Sequence, residues 1–543
     1  MIRKSAAASA GGASTPKHES PQNFSLPGRV LRPSSTQGGL GGCGECDSSE
    51  NILELVPKDN AVEEIWSVES EYVVLVGGQS NTVGGSTVAV IAGGDHHTIN
   101  TASQATIIGG SSFVTTADYS TIVGGAASTA ATSATYATVV GGTGHVAEGN
   151  GSSIVGGVRG HAAGGWSAVV GGSGNRADAV LSTTLGGFHN LGLAINTTIA
   201  GGNMNTAVAT GSTLVGGANN KGVGAHSVVV GGVNSSALGY ASTVVGGQFN
   251  GASGNWSTIA GGVYNQVLLD HSFLGGGMNN LVDGLYGAIG GGSDNVVEGS
   301  SSVVSGGASN RVRAEYGSIG GGSSNAVGGF AGVVGGGYSN AVRGYFATIG
   351  GGKEGSASGF ASTVGGGYSN GGSGKFATVA GGQSSTASGF AATVCGGTSN
   401  VATATHATIG GGYYVTSDGT AATVSGGSTN AATAHYATVG GGSSGTSSGY
   451  AATVGGGSSN KAIAMYATVG GGYVGVSNGF AATVGGGYYN SATADYATVG
   501  GGTNNAATSY YATVGGGASG TSSGYAATVG GGSSNKAIAM YAT

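Results

Sequence analysis

The only short motif with possible chemistry is the pair of thiols in Cys43-Gly-Glu-Cys46. A Cys-x-x-Cys pair can chelate zinc or cycle between dithiol and disulfide. A structural zinc site needs four ligands, and one chain offers no second pair and no nearby histidine, although three chains together would offer six thiols. We interpret these cysteines as structural thiols or as an interchain disulfide. We predict no metal site and no cofactor.

A second polar cluster, Asp95-His96-His97, stands alone in a chain whose acidic residues are sparse and scattered. Enzymes need several polar groups that converge on one point and have perturbed pKa values. An isolated cluster of this kind is typical of a solvated loop at the edge of a coil. The nine-residue frame of calcium-binding β-rolls is also missing. We therefore predict a non-enzymatic protein without catalytic residues.

Two other candidates for binding are residues that recur along the chain. A threonine that returns at every fifteenth position could order water in an ice-binding plane, although threonine also simply favours strands. Tyrosines that follow glycine doublets could stack on sugars, or pack between coils or chains. We prefer strand formation and packing as explanations. The threonines are Thr348, Thr363, Thr378, Thr393, Thr408, Thr423, Thr438, Thr453 and Thr468, and the tyrosines are Tyr338, Tyr368, Tyr413, Tyr473 and Tyr488.

A short repeat positions all of these residues. The stretch from Gly445 to Thr468 recurs residue for residue from Gly520 to Thr543, an offset equal to five copies of a fifteen-residue unit. A Gly-Gly doublet marks each unit and returns at every fifteenth position from Gly141 to Gly531, and four earlier doublets bring the total to 31. One such unit cannot bury a core alone, so the repeat predicts a solenoid in which each coil contacts its two neighbours.

The composition excludes several classes of protein. The chain of 543 residues contains 121 glycines and only 7% charged residues, and all five prolines lie at or before Pro57. Collagen is excluded because the glycines do not occur at every third position. The net charge of -6 and the lack of a basic stripe argue against nucleic-acid binding. Three cysteines, of which Cys395 replaces a repeat glycine, do not make a disulfide scaffold. No apolar run is long enough for a transmembrane helix.

The pattern within one unit predicts a flattened coil with two short strands. In Ala467-Thr468-Val469, alternation sends Ala467 and Val469 to the interior and Thr468 to the outside. A second strand is expected near Lys461 to Ile463. At about 4.8 Å per stacked strand, 31 coils would form a rod of roughly 150 Å.

The fourth position after the first glycine of the doublet is mostly asparagine and sometimes glycine. Both residues tolerate the left-handed backbone region, so this pattern predicts a turn residue with positive φ. On that basis Asn460→Gly should be tolerated and Asn460→Val should destabilise. The asparagines are Asn175, Asn190, Asn205, Asn220, Asn250, Asn265, Asn280, Asn295, Asn310, Asn325, Asn340, Asn370, Asn400, Asn430 and Asn460, the glycines are Gly160, Gly355, Gly445, Gly475 and Gly520, and the exceptions are Ser235, Ser385 and Val415.

Composition divides the chain into three parts. Residues 1–71 contain all the prolines and a large share of the charges, and they predict a flexible attachment region. We expect Ser49 to Ser67 to be irregular, with one short helix as the alternative, and to lead into a first strand at Tyr72 to Val76. Residues 72–270 predict a solenoid segment whose coils contain Val/Ile-Gly-Gly. Residues 271–543 predict a second solenoid segment whose coils contain Val-Gly-Gly-Gly. In the second segment the aromatic residue alternates between five and six positions before the doublet, which predicts an effective unit of two coils, or thirty residues.

The small-residue frame resembles a known family. The pattern Ser-x-Ala-Ser-Gly-x-x-Ala-Thr-Val-Gly-Gly-Gly, found over Ser384 to Gly397 with Cys395 at one glycine, is similar to the head repeats of YadA-like trimeric autotransporter adhesins. Related frames occur in fibre proteins of phages and large DNA viruses. The resemblance covers nearly all of residues 72–543 and implies a left-handed parallel β-roll, three chains side by side and surface attachment. The glycine doublet or triplet and the missing stalk and anchor barrel differ from the autotransporter pattern.

These observations predict an all-β, trimeric parallel β-solenoid with an irregular N-terminal region. We expect a homotrimer because interior columns of alanine, valine and glycine bury little apolar area per coil. The expected function is a rigid fibre that projects from a virion surface for host attachment and is anchored through its N-terminus. We prefer a virion to a bacterial surface because Met1 to Ser14 make a poor secretory signal. The alternatives are a bacterial surface adhesin or filament, or a repeated face that binds host glycans or ice.

Overall fold

The structure is a computed structural model that describes residues 51–54, 67–69 and 72–543. Throughout these ranges the chain is a parallel β-solenoid, and no helix occurs in the part of the chain described. The strands of successive coils pair in parallel and build two long sheets, named here sheet A and sheet B. The prediction of an all-β solenoid with coils of roughly fifteen residues is confirmed.

Sheet A contains 32 strands, and each one after Asn51–Glu54 is formed by residues that precede a glycine doublet. The first strands are irregular in length and spacing. From Thr138–Val140 to Thr243–Val245, three-residue strands begin at every fifteenth position, and from Thr258–Ile259 to Thr528–Val529 the strands have two residues and the same spacing. The irregular strands are Asn51–Glu54, Tyr72–Leu75, Val88–Ala92, Ala105–Ile108 and Thr121–Val123.

Sheet B lies on the other side of the coil. Two-residue strands begin at every fifteenth position from Val146–Ala147 to Lys536–Ala537. A third column of isolated parallel bridges runs from Gln79 to Ser533 and connects the residues that follow each doublet. The earlier strands of sheet B are Ser67–Glu69, Thr82–Gly84, Thr98–Asn100, Val114–Thr115 and Thr129–Ala130.

The interior of each coil is narrow and is filled mostly by alanine and valine, with isoleucine, leucine or, at Phe113, phenylalanine in some coils. Ala462, Ala467 and Val469 are fully buried, and Thr468 between the last two points outward and is only partly covered. The predicted alternation is therefore confirmed. The predicted second strand is one residue shorter than expected, since it ends at Ala462 and leaves Ile463 exposed. Likewise the strand predicted to start the solenoid ends at Leu75.

The parallel pairing extends upstream of residue 72. Asn51–Glu54 pairs in register with Tyr72–Leu75 in sheet A, and Ser67–Glu69 pairs with Thr82–Gly84 in sheet B. Two stretches that were expected to be irregular thus belong to the first coil. Their alternating apolar residues, such as Ile52 and Val68, match the alternation of the strands that follow. The Cys43 and Cys46 thiols lie outside the described residues.

The positive-φ prediction for the asparagine position is wrong. The left-handed residue is the one before it: Ser459 has a φ of 58° and Met204 a φ of 53°, whereas the following Asn460 and Asn205 are not left-handed. A second left-handed corner occurs on the opposite edge of the coil, as at Tyr466 with a φ of 59°. Non-glycine residues fit these corners because their N–H groups donate to the preceding coil, for example from Ser459 to the Ser443 carbonyl oxygen at 2.8 Å.

The asparagine column is instead a buried hydrogen-bond ladder. Asn460 is fully buried, its amide nitrogen donates to the carbonyl oxygens of Gly456 and Gly472 at 2.6 and 3.0 Å, and its Oδ1 accepts from the Gly475 N–H at 2.7 Å. The same three bonds recur at Asn205 and at most other asparagines of the column. Each asparagine therefore connects its own coil to the next one along the rod.

The turn at the glycine doublet changes between Val245 and Thr258. In the earlier coils both glycines are left-handed, as at Gly246 and Gly247 with φ of 72° and 78°, and the strand before them has three residues. In the later coils the strand is one residue shorter, and as a rule only the second glycine is left-handed, as at Gly457 with a φ of 80°. The change of backbone geometry thus comes about one coil before the change of composition near residue 275.

Candidate functional surfaces

The residues of the Asp95-His96-His97 cluster point in different directions and do not form a site. Asp95 belongs to the bridge column, and His96 is an exposed left-handed corner. His97 is fully buried at a ladder position, where its ring stacks on Phe113 with centroids 4.9 Å apart. No group of three or more metal-ligating side chains that could hold an ion is found among residues 72–543.

Two buried histidines replace asparagine in the early part of the ladder. His97 Nδ1 accepts a hydrogen bond from the Phe113 N–H at 3.2 Å, and His145 Nδ1 accepts one from the Gly160 N–H at 3.0 Å. Burial lowers the pKa of His97 and of His145; for His97 the nearby Asp95 opposes this shift. Both rings must therefore stay neutral to keep their role as hydrogen-bond acceptors.

We expect the early coils to lose stability in acid. The folded-state pKa of both histidines lies below the value of 6.5 expected for an unfolded chain, so the unfolded state binds more protons as pH falls below about 6.5. The hydrogen-exchange protection factors of residues 72–160, which correct for the pH dependence of the intrinsic exchange rate, should fall between pH 7.5 and pH 5. The double variant His97→Asn/His145→Asn, which restores the usual ladder residue, should remove this fall in protection. An unchanged pH response in that variant would contradict the assignment.

The threonine column forms a single row on the outer face of sheet A. The later strands have only two residues, of which one points outward. In two neighbouring strands these outward residues are Thr453 and Thr468. The row is flanked by glycines such as Gly470 rather than by a second column of threonine. In this segment sheet A therefore presents one row of threonines rather than two adjacent rows.

The tyrosines after the doublets lie in the bridge column. Tyr473 and Tyr488 of neighbouring coils stack with centroids 5.0 Å apart, and Tyr338 and Tyr368 bracket the Lys353 ammonium at 5.8 and 5.3 Å. These contacts join one coil to the next, in agreement with packing between coils. The column is discontinuous, because many coils carry serine, threonine or alanine at this position.

A longer series of aromatic rings, named here the aromatic edge, occupies the turn between sheet B and sheet A. In its last run the ring centroids of successive coils are 5.0 to 5.9 Å apart, without a gap over eight coils. An upstream run from Tyr316 to His406 has centroids 5.3 to 5.7 Å apart. The last run consists of Tyr436, Tyr450, Tyr466, Phe480, Tyr496, Tyr511, Tyr525 and Tyr541.

The two-coil unit seen in the sequence arises at this turn. In one coil the ring sits on the left-handed corner itself, as Tyr466 does, and in the other it precedes an alanine corner, as Tyr450 precedes Ala451. The coils of the second kind carry a glycine before the ring. A Cβ on Gly449 would lie 1.9 Å from the Ala464 carbonyl oxygen, so this coil needs glycine where its neighbour has alanine.

The sequence showed the alternation but not that the rings form one continuous surface. Seven of the eight rings in the last run are between 41% and 66% exposed, and Phe480 is partly covered. Neighbouring rings meet edge to face at angles of 72° to 89°, except for the stacked pair Tyr496 and Tyr511. An exposed apolar surface of this length commonly marks an interaction site.

An aliphatic column covers part of sheet A in the early coils. The third residue of each strand points outward, and Val155, Leu185, Val215 and Val245 are about 40% exposed. The column ends at Val245, where the strands shorten and glycine takes its place. It lies on a sheet face, whereas the aromatic edge follows a turn.

Comparisons with known proteins identify no relative. No protein-family model matches the chain, and no curated protein is significantly similar to it. In the part of the chain that the structure describes, no helix is long and apolar enough to cross a membrane. The chain is therefore characterised by its fold, which is a long parallel β-solenoid.

Proposed function

We propose that the protein is a non-enzymatic structural fibre. The observation that carries this proposal is the unbroken parallel register of both sheets from Asn51 to Ala537. Among residues 72–543 the polar side chains form ladders and ion pairs between coils, such as Arg313 with Glu298 at 3.4 Å, rather than a convergent pocket. A stack of this kind is suited to holding its two ends a fixed distance apart.

We further propose that the fibre projects from a virion and is anchored through the N-terminal residues that precede the first coil. The support is the contrast between the proline-containing start of the sequence and the regular stack, together with the resemblance of the glycine frame to fibre repeats. Immunogold electron microscopy with antibodies against the solenoid tests this location. Labelled filaments on purified virions would support it, and label confined to a bacterial cell surface would favour the alternative of a bacterial adhesin.

Three chains side by side remain our proposal for the assembly. The aliphatic column on sheet A gives each chain an outward apolar face of about ten coils that its own interior does not cover. Specific protein interfaces bury on the order of 1,600 Å² in total, and a face of this length can contribute to such an area. Packing three faces around an axis would cover the column.

We expect sedimentation equilibrium of the full chain to give three times the 51.1 kDa mass of one chain. The variant Val215→Lys/Val230→Lys should dissociate the trimer, because it places charges on the aliphatic column. As a matched control, Gln266→Lys on the exposed face of sheet B should leave the mass unchanged. A monomeric mass for the unaltered chain would contradict the proposed assembly.

A further inference from the structure

We propose that the last run of the aromatic edge, from Tyr436 to Tyr541, binds a neutral, linear, β-linked polysaccharide along the rod. The first support is geometry: eight rings lie in single file, and seven of them keep 41% or more of their surface exposed. The C–H face of a pyranose ring packs on the face of an aromatic ring. Because most neighbouring rings of this run meet edge to face, about every second ring can turn its face toward a ligand that follows the rod. The inference deepens the proposed fibre function by naming a ligand class and a site.

The second support is the polar border of the rings. The residue that follows each sheet B strand opens the turn, and in this run it is usually an exposed hydroxyl or amide side chain, as in Thr433, Ser448 and Asn478. On the other side of the turn each strand of sheet A begins with an outward threonine, such as Thr468. Stacking surfaces bordered by hydrogen-bonding groups are what a polyhydroxylated ligand requires.

The third support is the small number of charges. From Thr433 to the end of the chain, Lys461, Asp495 and Lys536 are the only residues with a permanent charge. The Asp495 carboxylate already has protein partners. It accepts a hydrogen bond from the Phe480 N–H at 2.9 Å, and a hydrogen bond from the Tyr510 hydroxyl to Asp495 raises the pKa of Tyr510. Of the charged residues only Lys461 and Lys536 are basic, so a strongly acidic polymer such as a sulfated glycan would find few partners here, which favours a neutral ligand.

The fourth support is the period of the edge. Except at the stacked pair Tyr496 and Tyr511, the two kinds of turn alternate, so rings in equivalent positions recur every second coil, at about 9.6 Å. Successive sugars in a β-1,4-linked chain are turned over relative to each other, so this polymer also repeats at every second unit. The single-file row on a turn is narrower than the face of a sheet, which favours a chain-like ligand over a second copy of the rod.

The test measures retention of the full chain on microcrystalline cellulose and on chitin, followed by titration with cellohexaose and chitohexaose. Maltohexaose, whose linkages are α, and a heparin oligosaccharide serve as control ligands. We expect binding to at least one β-linked hexamer and not to either control. Absence of binding to cellulose, chitin and both hexamers would overturn the inference, while the fibre proposal, tested by microscopy, would be unaffected.

Variants localise the site. Tyr466→Ser/Tyr496→Ser/Tyr525→Ser should weaken binding about tenfold or more, and the corresponding triple change to phenylalanine, which keeps the stacking faces, should retain it. Tyr473→Ser/Tyr488→Ser removes two rings from the bridge column and should have no effect. Circular dichroism confirms that each variant is folded. If the serine variant changes the sedimentation mass and not glycan binding, the edge contacts a second copy and the inference is wrong.

Discussion

Replacing Gly457 with alanine should lower the free energy of unfolding by on the order of 3 kcal/mol. Gly457 is left-handed with a φ of 80°, and a Cβ added there would lie 2.1 Å from the Gly472 carbonyl oxygen and 2.7 Å from the Gly472 nitrogen. Both atoms belong to the backbone of the next coil, so relief of the overlap requires the two coils to separate. Thermal unfolding of the full chain, with limited proteolysis to locate the opened coils, measures the effect.

The adjacent glycine provides a matched control. A Cβ on Gly456 would meet no atom within 4 Å, and its φ is outside the left-handed region. We therefore expect Gly456→Ala to change stability by less than about 0.5 kcal/mol. Equal destabilisation by the two variants would show that close approach between coils is not the reason for the second glycine.

Breaking the asparagine ladder should have an effect of similar size. Both Asn460→Gly and Asn460→Val remove three side-chain hydrogen bonds and leave the buried Gly475 N–H without its acceptor, while the Gly472 carbonyl keeps only the Ser458 N–H. A buried polar group that loses its partner costs about 1–3 kcal/mol, so each variant should lose roughly 3 kcal/mol or more. The turn hypothesis predicted instead that only valine would destabilise. Chemical denaturation of the two variants distinguishes the explanations.

Val415 permits the opposite experiment. It occupies a ladder position, is fully buried, and its N–H already donates to the Asn400 Oδ1 at 2.9 Å. In Val415→Asn the new amide would reach the carbonyl oxygens equivalent to those that Asn460 contacts, which extends the ladder by one step. We expect stability to be unchanged or raised by about 1 kcal/mol. A clear loss of stability would contradict the ladder as a stabilising element.

The strands were predictable because their signal is local. Alternation in Ala467-Thr468-Val469 determines which side chains point inward, and the glycine doublet marks where the strand ends. The first coil was missed because Asn51–Glu54 and Ser67–Glu69 lie among charged residues outside the strict repeat. Their pairing partners in the next coil, Tyr72–Leu75 and Thr82–Gly84, provide the stabilisation that local composition does not indicate.

The role of the asparagine column was mistaken because two properties coincide. Asparagine and glycine both tolerate left-handed geometry, and both also fit a narrow buried position next to a carbonyl oxygen. Phe113 and Val415 held the missing signal, because they occupy the same column and disfavour left-handed geometry. The actual corners carry residues such as Val474 and Tyr466, because a hydrogen bond to the preceding coil offsets the backbone strain.

The aromatic edge could be predicted only in part. The sequence shows that the aromatic residue alternates between two positions, as at Tyr450 and Tyr466. Where the two rings point depends on the geometry of the turn. Both positions project onto the same edge because the left-handed corner lies at or just after the ring. Local spacing therefore indicated a two-coil unit, and only the folded turn showed that the rings form a continuous row.

Small-angle X-ray scattering of the purified full chain tests most directly whether the molecule is a rod. A straight stack of roughly 150 Å has a radius of gyration of about 43 Å, and side-by-side association of three rods changes this value little. A compact globular chain of the same length would give about 24 Å. The solenoid predicts the larger value together with a rod-like cross-section region in the scattering curve. A radius of gyration near the compact value would contradict the rod, and with it the proposed fibre.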